Sequence, residues 1–323
     1  MQEPRPLASL SLDLDNQWSY MKTHGDAGWE SLPSYLDIVV PRVLQLLKEK
    51  GLTITFFIVG LDADQERNHA VLRSIAEAGH EIGNHSFHHE PWLHLYSQEQ
   101  LLTEITQAET AIEQATGRKP IGFRGPGFSL SSDLIELLTQ RGYLYDASTF
   151  PTYLGPIARA YYFMKSRLSE NDLKERKNLF GSFSDGLRPT KAYCWRSKAG
   201  ELIEIPVTTM PGLKLPIHVS YLLFLSDFSS ALALAYFRTA LEVCRWTGTQ
   251  PSLLLHPLDF LGCDDTTALS FFPAMQLRSP TKVSFVGRVL DLFRERFEIV
   301  PMERHAKHVS CQNLNRVAPD FAK

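Results

Sequence analysis

Apolar and polar positions change period repeatedly along this chain. Leu7 to Leu14 (LASLSLDL) reads as a first strand. Leu36 to Lys50 then shows apolar residues at helical spacing, with Gly51 placed as a stop. Thr53 to Val59 (TITFFIV) is a nearly continuous β-branched and aromatic run, as a buried parallel strand requires. The alternation continues with a helix over 68–78, a strand over 80–84, a helix over 98–116, a strand over 120–124, a helix over 132–141 capped by Ser131 or Ser132, and a strand over 143–146. A strand-helix unit that repeats about five times predicts a parallel α/β sheet or barrel. After residue 146 the rhythm breaks. Residues 150–200 are rich in aromatic and basic side chains, and 202–207, 252–255 and 297–300 read as later strands.

These patterns predict one barrel domain over residues 1–304, with 150–200 as a long insertion after the fifth strand. A tail over 305–323 shows no clear period and is expected to be loosely ordered, with His305 and His308 at the surface. The 323 residues are 44% hydrophobic and 21% charged, which excludes disorder as the dominant state. A net charge of -3 supplies no global basic field, so nucleic acid is not an expected partner. Cys194, Cys244, Cys263 and Cys311 form no C-x-x-C pair and are expected to be reduced, buried thiols. No leader pattern opens the chain, which makes a cytoplasmic setting the default, and the apolar window 219–237, interrupted by Asp227 and serines, reads as buried or interfacial.

Polar residues recur where the predicted strands end. Asp13 and Asp15, two apart in SLDLDN, point to the same side of a strand, and like charges that close need a metal, an arginine or a proton between them. His85, His88 and His89 in HEIGNHSFHHEP are spaced so that one helical turn brings two imidazoles onto one face to share a metal. Arg124 in GFRGPGFS is placed to neutralise the acid pair, and Asp146 and His256 end two further strands. Each residue alone has a plainer reading as a cap or a hydrogen-bonded core group. Together they mark one rim of a parallel barrel.

The succession of D-x-D, GHEIGN followed by H-S-x-x-H, R-x-P and L-x-H resembles the NodB-homology polysaccharide deacetylases, carbohydrate esterases with a distorted (β/α)7 TIM-like barrel. The resemblance covers about 9–146 and 202–260. It implies Asp13 as catalytic base, Asp15, His85 and His89 as metal ligands, Arg124 as the arginine that positions the base, His256 as general acid, and Asp146 as a loose match to the aspartate that tunes a partner's charge. It also implies an oxyanion hole at the backbone of Gly127 or Phe128, where Gly127 replaces the family's usual tyrosine. Leu14 separates the two aspartates as in the subgroup acting on lipid-linked sugars and small amides. The implied activity is removal of an N-acetyl or similar acyl group from an amino sugar, with Zn2+ as the leading metal and Co2+, Ni2+ or Fe2+ as alternatives. A small non-sugar amide substrate, as for allantoinase-like relatives, and a catalytically silent carbohydrate-binding barrel remain the competing readings.

Residues 159–198 carry ten basic and four acidic side chains interleaved with aromatics. This segment reads either as a solvated helical face packed on the barrel or, with 211–237 adding apolar surface, as a lid or membrane-facing element over 150–237 for an anionic or lipid-linked glycan, which would make the protein peripheral to the inner membrane face.

Overall fold

A computed structural model describes residues 5–155 and 183–321. Seven parallel strands form its centre: β1 (Leu7–Leu14), β2 (Thr55–Ile58), β3 (Glu81–Asn84), β4 (Gly122–Phe123), β5 (Tyr145–Asp146), β7 (Gly200–Glu204) and β8 (Ser252–Leu255), in the order β8-β1-β2-β3-β4-β5-β7. The connecting segments carry α1 (Gln17–His24), α2 (Leu36–Lys50), α3 (Gly60–Ala63), α4 (His69–Glu77), α5 (Gln98–Thr116), α6 (Ser132–Gln140) and α7 (Val219–Thr247). The expected α/β class with a (β/α)7-like order is therefore present. Between the end strands β7 and β8 the link is a pair of bonds, Thr208 N–H to the Ser252 carbonyl and Ser252 N–H to Thr208 Oγ1, and not a ladder.

Strand periodicity explains how β1 serves two environments at once. Ala8, Leu10, Leu12 and Leu14 join Leu36, Val39, Val40 and Val43 of α2 in the main apolar core. Ser9, Ser11 and Asp13 alternate with them and are equally buried, but each has a polar or charged neighbour. Ser11 and Asp13 accept hydrogen bonds from Arg124, and Ser9 Oγ lies 2.9 Å from His305 Nδ1. A buried hydroxyl or carboxylate is tolerable on that face because it is paired.

Three sequence expectations are corrected. The insertion 150–200 ends in a strand, β6 (Tyr193–Ser197), which runs antiparallel to β7 and buries Tyr193 and Trp195 in a second apolar cluster with Phe123, Leu134 and Leu138. The strand is mixed in polarity, so its period was hidden. Residues 156–182, the bulk of the basic and aromatic stretch, lie outside the described residues. After β8 come α8 (Ser279–Arg296) and β9 (Glu298–Val300), the latter at the strand expected there and paired with β1; the tail that follows is not loose, since α9 (Met302–Ser310) runs into it and β10 (Arg316–Val317) pairs with β6. His305 is fully buried while His308 is exposed as expected. Among the cysteines, Cys194 and Cys244 are buried, whereas Cys263 and Cys311 are exposed; all four are free. Helix α7 is long and apolar enough to cross a membrane by length and composition. It breaks at Ser229 (φ -164°, ψ 113°) and leaves Phe228, Leu232 and Trp246 exposed.

Candidate active site

Strand register brings the polar strand ends to one level. Leu12 pairs with Leu255, so His256 emerges beside Asp13; Asn84 pairs with Phe123, so His85 emerges beside Arg124. Arg124 is fully buried and its guanidinium is held on all sides. Nε donates to the Ala147 carbonyl at 3.0 Å, Nη1 donates to Ser11 Oγ at 2.8 Å and to Asp13 Oδ1 at 2.6 Å, and the group lies 4.4 Å above the Phe57 ring. A buried carboxylate facing a buried guanidinium is directed by it and kept from turning away.

Asp15 Oδ1 lies 2.9 Å from His89 Nε2 and 3.2 Å from His85 Nε2. One ligand atom from each of these three residues falls within 4.8 Å of the others. Burial works to raise the Asp15 carboxyl, but the charges and hydrogen bonds of His89 and His85 outweigh it and hold it well below the usual carboxylate range. His85 Nδ1 is 2.7 Å from the Arg124 carbonyl oxygen, which can only accept, so Nδ1 carries a proton and Nε2 is the nitrogen turned toward Asp15. A carboxylate oxygen and an imidazole nitrogen so oriented fit a divalent cation. The convergence is not made by a helical turn, as the spacing suggested. Residues 85–92 form a loop that reverses at Ser86 (φ 62°) and again at His89 (φ 55°). Glu104 of α5 anchors it by accepting N–H bonds from Phe87 and His88 and pairing with the His88 ring at 2.8 Å, which keeps His88 away from Asp15, His85 and His89.

The two other expected roles are altered. Phe128 N–H is spent on the Gly125 carbonyl at 3.0 Å, which leaves Gly127 as the donor available from that pair. Gly127 adopts φ 57°, and a Cβ there would meet Pro91 Cβ at 2.9 Å, so glycine lets the turn sit against the histidine loop. Phe128 instead packs on Phe150 at 4.9 Å, and Phe150 on His218 at 5.5 Å, forming an aromatic wall. Asp146 does not meet His256. It accepts from Ser148 Oγ at 2.5 Å, and Ser148 in turn accepts Gly125 N–H at 2.8 Å, so Asp146 braces the arginine loop. Burial first, and the neighbouring Glu204 second, push its carboxyl well above the usual range.

Four residues of the site region escaped the sequence reading. Glu204 binds Thr149 and the Trp195 indole N–H. Ser220 and Asp259 stand behind His256. Asp62 accepts from Asn16 Nδ2 at 2.7 Å and Trp18 Nε1 at 2.9 Å, and Trp18 meets His89 edge-on. Only Asp259 had a local signal, as the third residue after His256 in HPLD.

Burial raises Asp62 from 3.8 to about 7. The folded protein therefore keeps a proton that the unfolded chain releases, so this contribution to stability is complete below about pH 4 and is lost as pH rises toward 7. Asp62→Asn keeps the acceptor for Asn16 and Trp18 without ionising. Its melting temperature is expected to fall less than that of the unsubstituted protein between pH 5 and 8, and identical slopes in the two proteins would exclude this account.

Residues 26–145 match the polysaccharide deacetylase family model, a segment containing His85, His89, Arg124, Gly127 and Phe128. That match bears out the resemblance drawn from the motifs. A peptidoglycan deacetylase-like protein of Gibberella zeae is 34% identical over 125 residues, 38% of this chain and 35% of the relative. A peptidoglycan deacetylase of Helicobacter pylori is 27% identical over 149 residues, 44% of this chain and 49% of the relative. The matched stretch thus spans about a third to a half of these relatives' lengths. A crystal structure from Mycobacterium smegmatis that carries a provisional polysaccharide deacetylase name superposes over 99% of both chains, with a TM-score of 0.60 at 22% identity, and shares the fold.

Proposed function

We propose that this chain, whose residues 26–145 match the polysaccharide deacetylase family, is a metal-dependent amidohydrolase that removes an N-acetyl or similar acyl group from an amino sugar. The observation that carries this reading is the meeting of Asp15, His85 and His89 beside an arginine-held Asp13 at one end of the parallel sheet. The names of the peptidoglycan deacetylase relatives support an acylated amino sugar as substrate.

Asp15, His85 and His89 would hold the cation, with zinc the leading choice and cobalt, nickel or iron compatible with the same donors. Such an ion supplies a lowered water pKa and polarisation of an acyl carbonyl. Asp13, fixed by Arg124, takes the proton of the attacking water. The Gly127 N–H donates to the oxygen on which negative charge develops. His256 gives a proton to the departing amine. Asp146, through Ser148, keeps the Arg124–Gly127 loop in place.

A membrane-associated version of this function, with a lipid-linked or anionic glycan meeting residues 150–237, is favoured by the exposed Phe228 and Leu232 of α7 and by Leu213. Purified protein loaded with zinc is to be offered N-acetylated sugars, free and lipid-linked, and small amides such as allantoin, with acetate release or ring opening as the readout. Acetate from the sugars supports the proposal. Turnover of the small amides alone points to the allantoinase-like reading, and sugar binding without release points to the silent barrel.

A further inference from the structure

We infer that Ser220 and Asp259 form the relay that orients His256, in place of Asp146, and that this relay determines which ring nitrogen is presented to substrate. The inference rests on His256 being the acid of the proposed deacetylation. Ser220 Oγ donates to Asp259 Oδ1 at 2.7 Å, and a hydroxyl has one proton to give. His256 Nδ1 lies 3.1 Å from Ser220 Oγ, whose proton is already given to Asp259, so Nδ1 is the donor in that contact. The other oxygen of Asp259 accepts the His256 backbone N–H at 2.8 Å, which ties the carboxylate to the same residue twice. Asp259 is buried at 1% exposure, so solvent does not compete for these bonds. With Nδ1 committed to Ser220, Nε2 is the atom left for the leaving amine.

The surroundings contain no rival orienting group among the described residues. The His218 ring approaches His256 edge-on with centroids 6.4 Å apart, and burial first, with the His256 charge second, pushes His218 down to about 3, so it stays neutral. Lys282 of α8 is buried near Asp259 but donates to the Leu258 carbonyl at 2.8 Å. Tyr20 also lies near Asp259, and burial raises it well above its ordinary range. Asp146 is engaged with Ser148 and Glu204.

The decisive measurement is 15N NMR of the His256 ring in the whole zinc-loaded protein, comparing the unsubstituted chain with Ser220→Ala, Ser220→Thr and Asp259→Asn. The Nδ1–H tautomer is expected to dominate in the unsubstituted chain and in Ser220→Thr. Ser220→Ala and Asp259→Asn are expected to shift the ring toward the Nε2–H form that free histidine prefers. In Ser220→Ala, kcat for an N-acetylated chito-oligosaccharide should drop on the order of 10- to 100-fold, with KM and metal content unchanged, and Ser220→Thr should recover most of it. A tautomer balance that is the same in the unsubstituted chain and Ser220→Ala overturns the relay. If the tautomer shifts as expected but the unsubstituted chain releases no acetate, the relay stands and the deacetylase reading fails.

Discussion

Asp15→Ala is expected to abolish the divalent-cation binding proposed for this site, and with it the proposed hydrolysis. Asp15 contributes the anionic donor of the three, and its Oδ1 is the atom that both imidazoles approach. Removing groups that merely orient a metal ligand costs about 10- to 100-fold in affinity, so losing a direct ligand is expected to cost more than about 100-fold. Without the carboxylate, the buried His85 and the half-buried His89 also lose the charged partner they share. Elemental analysis after dialysis against micromolar zinc provides the check. A stoichiometric ion in Asp15→Ala would remove it from the ligand set.

Asp13→Asn is expected to have the opposite profile, with metal retained and turnover lost. The amide keeps an oxygen for the Arg124 bond now made at 2.6 Å, so the side chain should stay in place. It can no longer accept a proton, and removing a positioned base typically lowers kcat by about 10²–10⁴-fold. The folded protein should also weaken, because breaking a buried ion pair costs about 3–5 kcal/mol when a charge is left unpaired and less when a hydrogen bond survives. Metal content, melting temperature and acetate release on the same preparation separate these effects. Full activity in Asp13→Asn would assign the base elsewhere.

The elements with clean periods were legible from sequence. Helices 36–50 and 98–116 and strand 252–255 occur over the expected residues, because each has an uninterrupted rhythm and a defined stop such as Gly51 or Gly117. Strands 53–59 and 120–124 came out shorter, as Thr55–Ile58 and Gly122–Phe123, since flanking residues such as Ile54, Val59 and Arg124 stay buried while leaving the strand. Strand ends rich in histidine and aspartate were readable as a site for the same reason: a charged residue after a buried run has to be paired. The means of convergence was not readable. Two positive φ angles at Ser86 and His89, and a glutamate from α5, do what a helical turn had been expected to do. The support for His256 was hidden by distance, since Ser220 lies 36 residues before it along the chain and reaches it only through the packing of α7 against β8. Asp62 likewise depends on Asn16 and Trp18, whose polar atoms carry no mark in a linear reading.

The C-terminal helix α9 bears on the order in which this molecule can mature. Met302 places its sulfur 3.6 Å from Arg124 Nη2 and donates its backbone N–H to Thr55 Oγ1, and Glu303 N–H caps the Glu81 carboxylate. The seat of the buried arginine is thus finished by residues that leave the ribosome about 180 positions after the arginine itself, an interval given by the Arg124–Met302 contact. A nascent chain halted before Met302 would hold Arg124 with an open floor, exposed to water from below, and an otherwise assembled rim would wait on the arrival of that last helix.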